Sequence, residues 1–144
     1  MENTSQGSVV INAQYIKDLS FENPNAPYSL IDNEKPNINI DLDVKAEHIH
    51  DAMFEVVINV NVKSSGSKTI FVVDLSYGGL FTLADEIEQK TKEVILLVHC
   101  ANILFPYVRR IISDTVRDGG YPPLILSPVD FMGLYQEKVR NTEQ

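Results

Sequence analysis

Asn102-Ile-Leu-Phe-Pro-Tyr107, followed by Arg109 and then by Tyr121-Pro-Pro-Leu-Ile-Leu-Ser-Pro-Val-Asp-Phe131, decides how this chain is read. The first stretch lies in a run from Lys92 to Asp118. There Val94, Leu97, Val98, Ala101, Leu104, Phe105, Val108, Ile111, Ile112 and Val116 recur at helical spacing. Ile95, Leu96 and Ile103 fall outside that stripe, so the helix is apolar around more of its circumference than one packing surface uses. A second copy of the same helix is the expected cover, with Leu97, Ala101, Leu104, Phe105, Val108 and Ile112 as the candidate interface. Pro106 removes a backbone donor and crowds the carbonyl of Asn102, which predicts a kink. Gly119-Gly120 ends the helix. After the stiff Pro122-Pro123 connector, Ser127 reads as an N-cap, with Pro128 at the first helical position and Asp130 in the first turn. The last helix then runs to about Arg140, with Phe131, Leu134 and Tyr135 on its apolar side.

Upstream the period is two rather than 3.6. Val9 to Ser20 is a strand with imperfect alternation, and Asn37 to Lys45 is a clean one, with Ile38, Ile40, Leu42 and Val44 on one face. Ala46 to Ala52 reads as a polar connection. Met53 to Lys63 and Thr69 to Tyr77 form a hairpin about the turn Ser64-Ser-Gly-Ser-Lys68, and Gly78-Gly79 predicts a bulge or bend after it. Phe21 to Pro36 carries Pro24, Pro27 and Pro36 and reads as a long crossover loop, a length that is usually functional. Asp85, Glu86 and Glu88 suit a helix start near Asp85. Strands followed by segregated helices give an α+β class. The expectation is one domain over residues 1–144: a four-stranded antiparallel sheet, then a long kinked helix and a shorter C-terminal helix on one face. Residues 1–8 are expected to be flexible and 141–144 to be a short tail.

The chain has 144 residues, enough for a core that needs neither disulfide nor metal, and its single cysteine, Cys100, has no internal partner. The net charge of −8, with basic residues scattered, speaks against nucleic acid and favours basic or apolar partners. The polar start Met1-Glu-Asn-Thr-Ser-Gln-Gly-Ser8 lacks the pattern of a signal peptide, and no apolar run approaches a bilayer's thickness. A cytoplasmic protein without membrane insertion is expected.

No set of residues suits catalysis. His48-Ile-His50 with Asp51 lacks a third and fourth metal ligand, and reads as a solvated loop. His99 and Cys100 are helix neighbours that cannot face each other, so Cys100 is read as a small buried hydrophobe. Gly78-Gly79 does not open a phosphate-binding helix. No enzyme, cofactor or metal is expected. On the sheet face away from the helices, Ile70 and Val72 flank Asp74, with Asp18 and Glu22 at the exit of the first strand. This is either an ordinary solvated acidic face or a flat docking plate with apolar contacts between the charges.

Lys17-Asp-Leu-Ser-Phe-Glu22, Pro24-Asn-Ala-Pro27, Ile40-Asp-Leu-Asp43, Phe54-Glu-Val-Val57, Gly78-Gly-Leu-Phe81, Asn102 to Tyr107 and Pro122 to Phe131 stand in an order that closely resembles the SecB-type protein-export chaperones. The resemblance implies an ATP-independent holding chaperone. It would keep unfolded secretory precursors translocation-competent in the cytoplasm and deliver them to the SecA motor. It implies a homotetramer, a dimer of dimers with the long helices between two sheets. It places SecA docking on Asp18, Glu22, Val72 and Asp74, and client binding on Phe21, Pro27, Tyr28, Leu42, Val44, Phe81, Leu134 and Tyr135. Many relatives carry a tryptophan near Glu34 and a longer tail; this chain has no tryptophan and ends at Gln144. A chaperone of the same fold dedicated to one client, such as an antitoxin, is the second reading. A small-molecule enzyme or binder using the sheet–helix crevice is the third.

Overall fold

Strand β1 (Val9–Glu22) and strand β2 (Asn37–His50) are neighbours in sequence but occupy opposite edges of the sheet, whose order is β1-β4-β3-β2. The centre is the hairpin of β3 (Met53–Ser65) and β4 (Thr69–Leu83), and every pairing is antiparallel. The chain therefore crosses the end of the sheet between Glu22 and Asn37, and that crossover includes one helical turn, Tyr28–Ile31. The structure is a computed structural model and describes residues 9–143; the expectation for residues 1–8 lies outside the described residues.

Alternation builds the two faces. Val56, Ile58, Val60 and Val62 of β3 and Phe71, Val73, Leu75 and Tyr77 of β4 are buried towards the helices. Paired residues share a face, so Asn59 and Asn61, opposite Asp43 and Asp41, look the other way. β1 breaks alternation twice, with register shifts between Ile11 and Ala13 and between Ile16 and Asp18. Each shift inserts one residue, Asn12 or Lys17, and reverses the phase. Ile16 can thus pair with Tyr77 on the helix face while Asp18 pairs with Ser76 on the outer face.

The sequence reading placed the irregularity at Gly78-Gly79, and the structure corrects it. Both glycines pair in register with β3, as Val57↔Gly78 and Val56↔Gly79. They are required by close packing: a Cβ at Gly78 would lie 2.7 Å from the Tyr15 ring, and one at Gly79 would lie 2.6 Å from Phe81 and 2.8 Å from Leu104. β2 also continues through the expected connection to His50 and turns tightly at Asp51, whose φ is +52°. Ile70 sits at the irregularity between Ser65↔Thr69 and Ser64↔Phe71, and lines a cleft beside Phe71 rather than flanking Asp74.

The long helix runs from Gln89 to Asp118. It starts after Asp85, Glu86 and Glu88, which precede it rather than fill its first turn. Pro106 lies inside the α-helical part, Ala101–Asp118, which follows a π-helical segment, Ile95–Cys100. By length and composition this helix is apolar enough to span a membrane, contrary to the sequence reading. Its apolarity is used against the sheet, where Leu104, Val108 and Ile112 are fully buried. The helix closes in a Schellman motif: Tyr121 N–H donates to Val116 O, Gly120 N–H donates to Arg117 O, and Gly120 adopts φ +98°. The last helix is Phe131–Glu143, so residues 141–143 are helix rather than tail. Its cap is Asp130, not Ser127: Gly133 N–H donates to Asp130 Oδ1 at 3.0 Å.

Candidate functional site

Edge strand β2 and the last helix enclose a groove of about 180 Å³. Leu42 and Val44 form one wall, Leu134 and Tyr135 the other, and Leu97 and Phe131 also line it. Lys138 spans its rim, donating to Val44 O at 2.8 Å and lying 3.3 Å from Asp43. Tyr135 Oη donates to Glu93 at 3.1 Å; burial first, and then this carboxylate, push the phenol above its ordinary pKa. Four of the client-binding candidates, Leu42, Val44, Leu134 and Tyr135, thus meet in one groove.

The crossover builds the other side. One cleft of about 230 Å³ lies between Asn25, Tyr28, Ser29 and the β3–β4 turn. A second, about 430 Å³, is lined by Leu30, Pro36, Ile38, Phe71, Tyr121 and Leu124, among others. Tyr28 is 78% exposed at the first. Pro27, after a cis peptide bond, is exposed beside it. Phe21 is half-buried, its ring 5.9 Å from that of Phe71. Phe81 is different: it is fully buried between the sheet and the long helix, because β4 points it at the core, and it offers nothing to a groove.

The outer face of the sheet gathers the acidic candidates. Ser20 pairs with Asp74, Glu22 with Val72 and Asp18 with Ser76, so Asp18, Glu22, Val72 and Asp74 occupy one face of two adjacent strands. Asp41 and Asp43 of β2 extend the acidic surface across the sheet. Asn61 fixes Asp74 with a 2.6 Å hydrogen bond. Sequence reasoning missed the buried group beside this plate. Glu55 accepts from Tyr15 Oη at 2.6 Å and from Lys17 Nζ at 2.9 Å. Burial pushes its carboxyl up, but the hydrogen bonds from Tyr15 and Lys17 prevail and hold it below the ordinary range. Tyr15 is pushed up to about 12 by burial and by Glu55. The signal for it was a lone acid, Glu55, inside the otherwise apolar run from Met53 to Val57.

The candidate interface residues Ala101, Leu104, Phe105, Val108 and Ile112 are all buried in the chain's own core, Phe105 against the ring of Phe131 in the last helix, and Leu97 lines the β2 groove. What the long helix leaves outward includes His99, Asn102, Pro106 and Tyr107, which is 42% exposed. Arg109 Nε is buried there without a hydrogen-bond partner among the described residues. Cys100 is fully buried and its thiol is pushed up to about 12 by burial, which makes it unreactive. His48 and His50 bind the β2–β3 turn, His48 Nε2 lying 2.6 Å from Asp51 O and His50 Nε2 3.1 Å from the Asp51 carboxylate. Among the described residues, no three His, Cys, Asp or Glu side chains gather as a metal site.

Residues 2–142 match the family model described as preprotein translocase subunit SecB. A protein-export protein SecB from Rhodospirillum centenum is 44% identical over 135 residues, 92% of this chain and 80% of the relative. Those of Bradyrhizobium sp. and Maricaulis maris are 47% and 46% identical, spanning 88% of this chain and 79% and 74% of the relatives. Among solved structures, a SecB-like chaperone of Mycobacterium tuberculosis, in complex with a peptide from the HigA1 antitoxin, superposes with a TM-score of 0.70. It is 15% identical and covers 85% of this chain and 91% of that one, a likeness of fold. With the family model matched over nearly the whole chain and these relatives 44–47% identical across most of it, the chain belongs to the SecB family.

Proposed function

We propose that this protein is a non-catalytic, ATP-independent holding chaperone of protein export. It binds unfolded secretory precursors in the cytoplasm, keeps them translocation-competent and delivers them to SecA. The observation that carries the reading is the set of open apolar clefts on a chain of the SecB family. Clients bind through Phe21, Pro27 and Tyr28 on the crossover side and Leu42, Val44, Leu134 and Tyr135 on the β2 side. Each apolar side chain covered contributes about 25 cal/mol per Å² removed from water. One unfolded chain occupying several such sites gains by effective concentration, so binding needs no sequence code and release needs no ATP.

Asp18, Glu22, Val72 and Asp74 form the docking face for SecA. A flat acidic plate speeds and orients a basic partner, while its exposed ion pairs contribute little affinity one by one. A tetramer of two stacked dimers presents several copies of each surface, and the outward side of the long helix, with Ile103 and Tyr107, supplies the stacking contact. The test is titration into an unfolded, slow-folding precursor, recording folding rate and complex mass. Stalled folding with a complex of four chains and one client supports the reading. Unchanged folding and separate masses reject it, and binding of one client among many favours a dedicated chaperone instead.

A further inference from the structure

Glu34 lies near the end of the crossover and reaches the β3–β4 turn. Its Oε2 accepts from Ser67 N–H at 2.9 Å and its Oε1 from Ser67 Oγ at 3.2 Å. Gly66 makes the space: a Cβ there would collide with the Glu34 carboxylate. The same carboxylate lines both crossover-side clefts, and it shares that position with Ser29, Asp32 and Ile70. These residues are the partition between a cleft of about 230 Å³ with a mixed polar and apolar lining and a larger, mainly apolar cleft of about 430 Å³. The remainder of the crossover is held at the first residue of β4 and at Tyr121. Asn25 Nδ2 donates to Thr69 O at 2.6 Å, and Tyr121 Oη joins Ser29 Oγ and Asn23 Oδ1 at 2.7 and 2.6 Å. No tie between Glu34 and Asn37 other than the carboxylate reaches the turn among the described hydrogen bonds.

We infer that Glu34 is a specificity-setting latch: by pinning the crossover to the β3–β4 turn it keeps the two clefts separate and limits the bulk of the client segment they admit. The inference rests on the holding-chaperone reading and deepens it. Glu34 acts chiefly by positioning the loop. Release of the latch joins the clefts through the gap that the carboxylate now closes. Segments with large aromatic side chains then gain more than segments of valine and alanine.

The test uses the full chain and two synthetic peptides of equal length and charge, one rich in Trp and Phe, the other in Val and Ala. Both carry the same fluorophore for anisotropy. Because the chain contains no tryptophan, peptide tryptophan emission also reports burial directly. Glu34→Ala removes the latch, Gly66→Ala displaces the carboxylate while keeping it, and Glu34→Gln retains an acceptor for Ser67. The expected result is that Glu34→Ala and Gly66→Ala shift the affinity ratio towards the aromatic peptide by about fivefold, the scale of one hydrogen-bonded contact. Glu34→Gln is expected to stay near wild type. A merely structural role would lower the melting temperature and leave the ratio unchanged, and that result overturns the inference alone. Binding of neither peptide by any variant overturns the holding-chaperone reading as well.

Discussion

At the scale of single residues, Glu55 has the most consequence for stability. Its carboxyl is held below the ordinary range in the folded protein, so ionised Glu55 stabilises the fold at neutral pH. That contribution is lost as pH falls from the ordinary value of 4.5 through the lowered one. Melting temperature measured against pH should therefore fall more steeply on the acid side in wild type than in Glu55→Gln. Tyr15 has the opposite sign. Its raised pKa means that the unfolded chain loses the proton first, so stability declines as pH rises above 10. Gly78→Ala would drive a methyl into the Tyr15 ring and disturb this cluster without changing any charge. The expected cost is about 1–3 kcal/mol, read from urea denaturation. The pairing within this cluster was not legible in the sequence, because Tyr15 and Glu55 come together only across the intervening strand β4.

At the scale of elements, the sequence showed β2, β3, β4 and both helices through their periods, but their ends were misread for local reasons. Ser127-Pro128 looks like a helix start, yet Asp130 makes the capping bond. Acidic residues gather before Gln89, yet the helix does not include them. The imperfect alternation of β1 was visible, and its cause is the pair of one-residue insertions at Asn12 and Lys17. These insertions are what put Asp18 on the outer face, so half of the acidic plate depends on a bulge that no spacing rule announces. The groove walls were legible as residues but not as a group: Leu42 and Val44 meet Leu134 and Tyr135 only because the last helix folds back over the β2 edge. Leu134, 39% exposed, can be changed without opening the core. Leu134→Asp is expected to weaken peptide binding about tenfold, roughly the loss of one buried leucine, with little change in melting temperature.

At the scale of the whole molecule, charge and shape separate the two proposed tasks: acidic plate outside, apolar clefts at the ends and edge. Asp18→Lys with Asp74→Lys reverses two charges on the plate and leaves the clefts intact. SecA binding is expected to fall at least about tenfold while peptide binding is retained, and the wild-type interaction should weaken with added salt. Surface plasmon resonance at two ionic strengths checks both. Tyr107→Glu places a charge on the exposed flank of the long helix, beside the sheet, where the ring stacks on Tyr77 at 6.1 Å. Light scattering should then report a smaller assembly at unchanged secondary structure. The proposed interface was the least legible part of the sequence. A wide apolar stripe says that a helix is covered on several sides, but not which side its own sheet covers.

The strand order has one more consequence, for biosynthesis. β1 is the first strand to leave the ribosome, and its partner β4, residues 69–83, is the last. About sixty residues must be translated between them, roughly 3–12 s at ~5–20 residues per second. During that interval Val10, Ile11, Ile16 and Leu19 have no strand to pair with, and even in the finished chain they keep much of their surface. The nascent chain therefore passes through the same exposed state that it is proposed to guard in others.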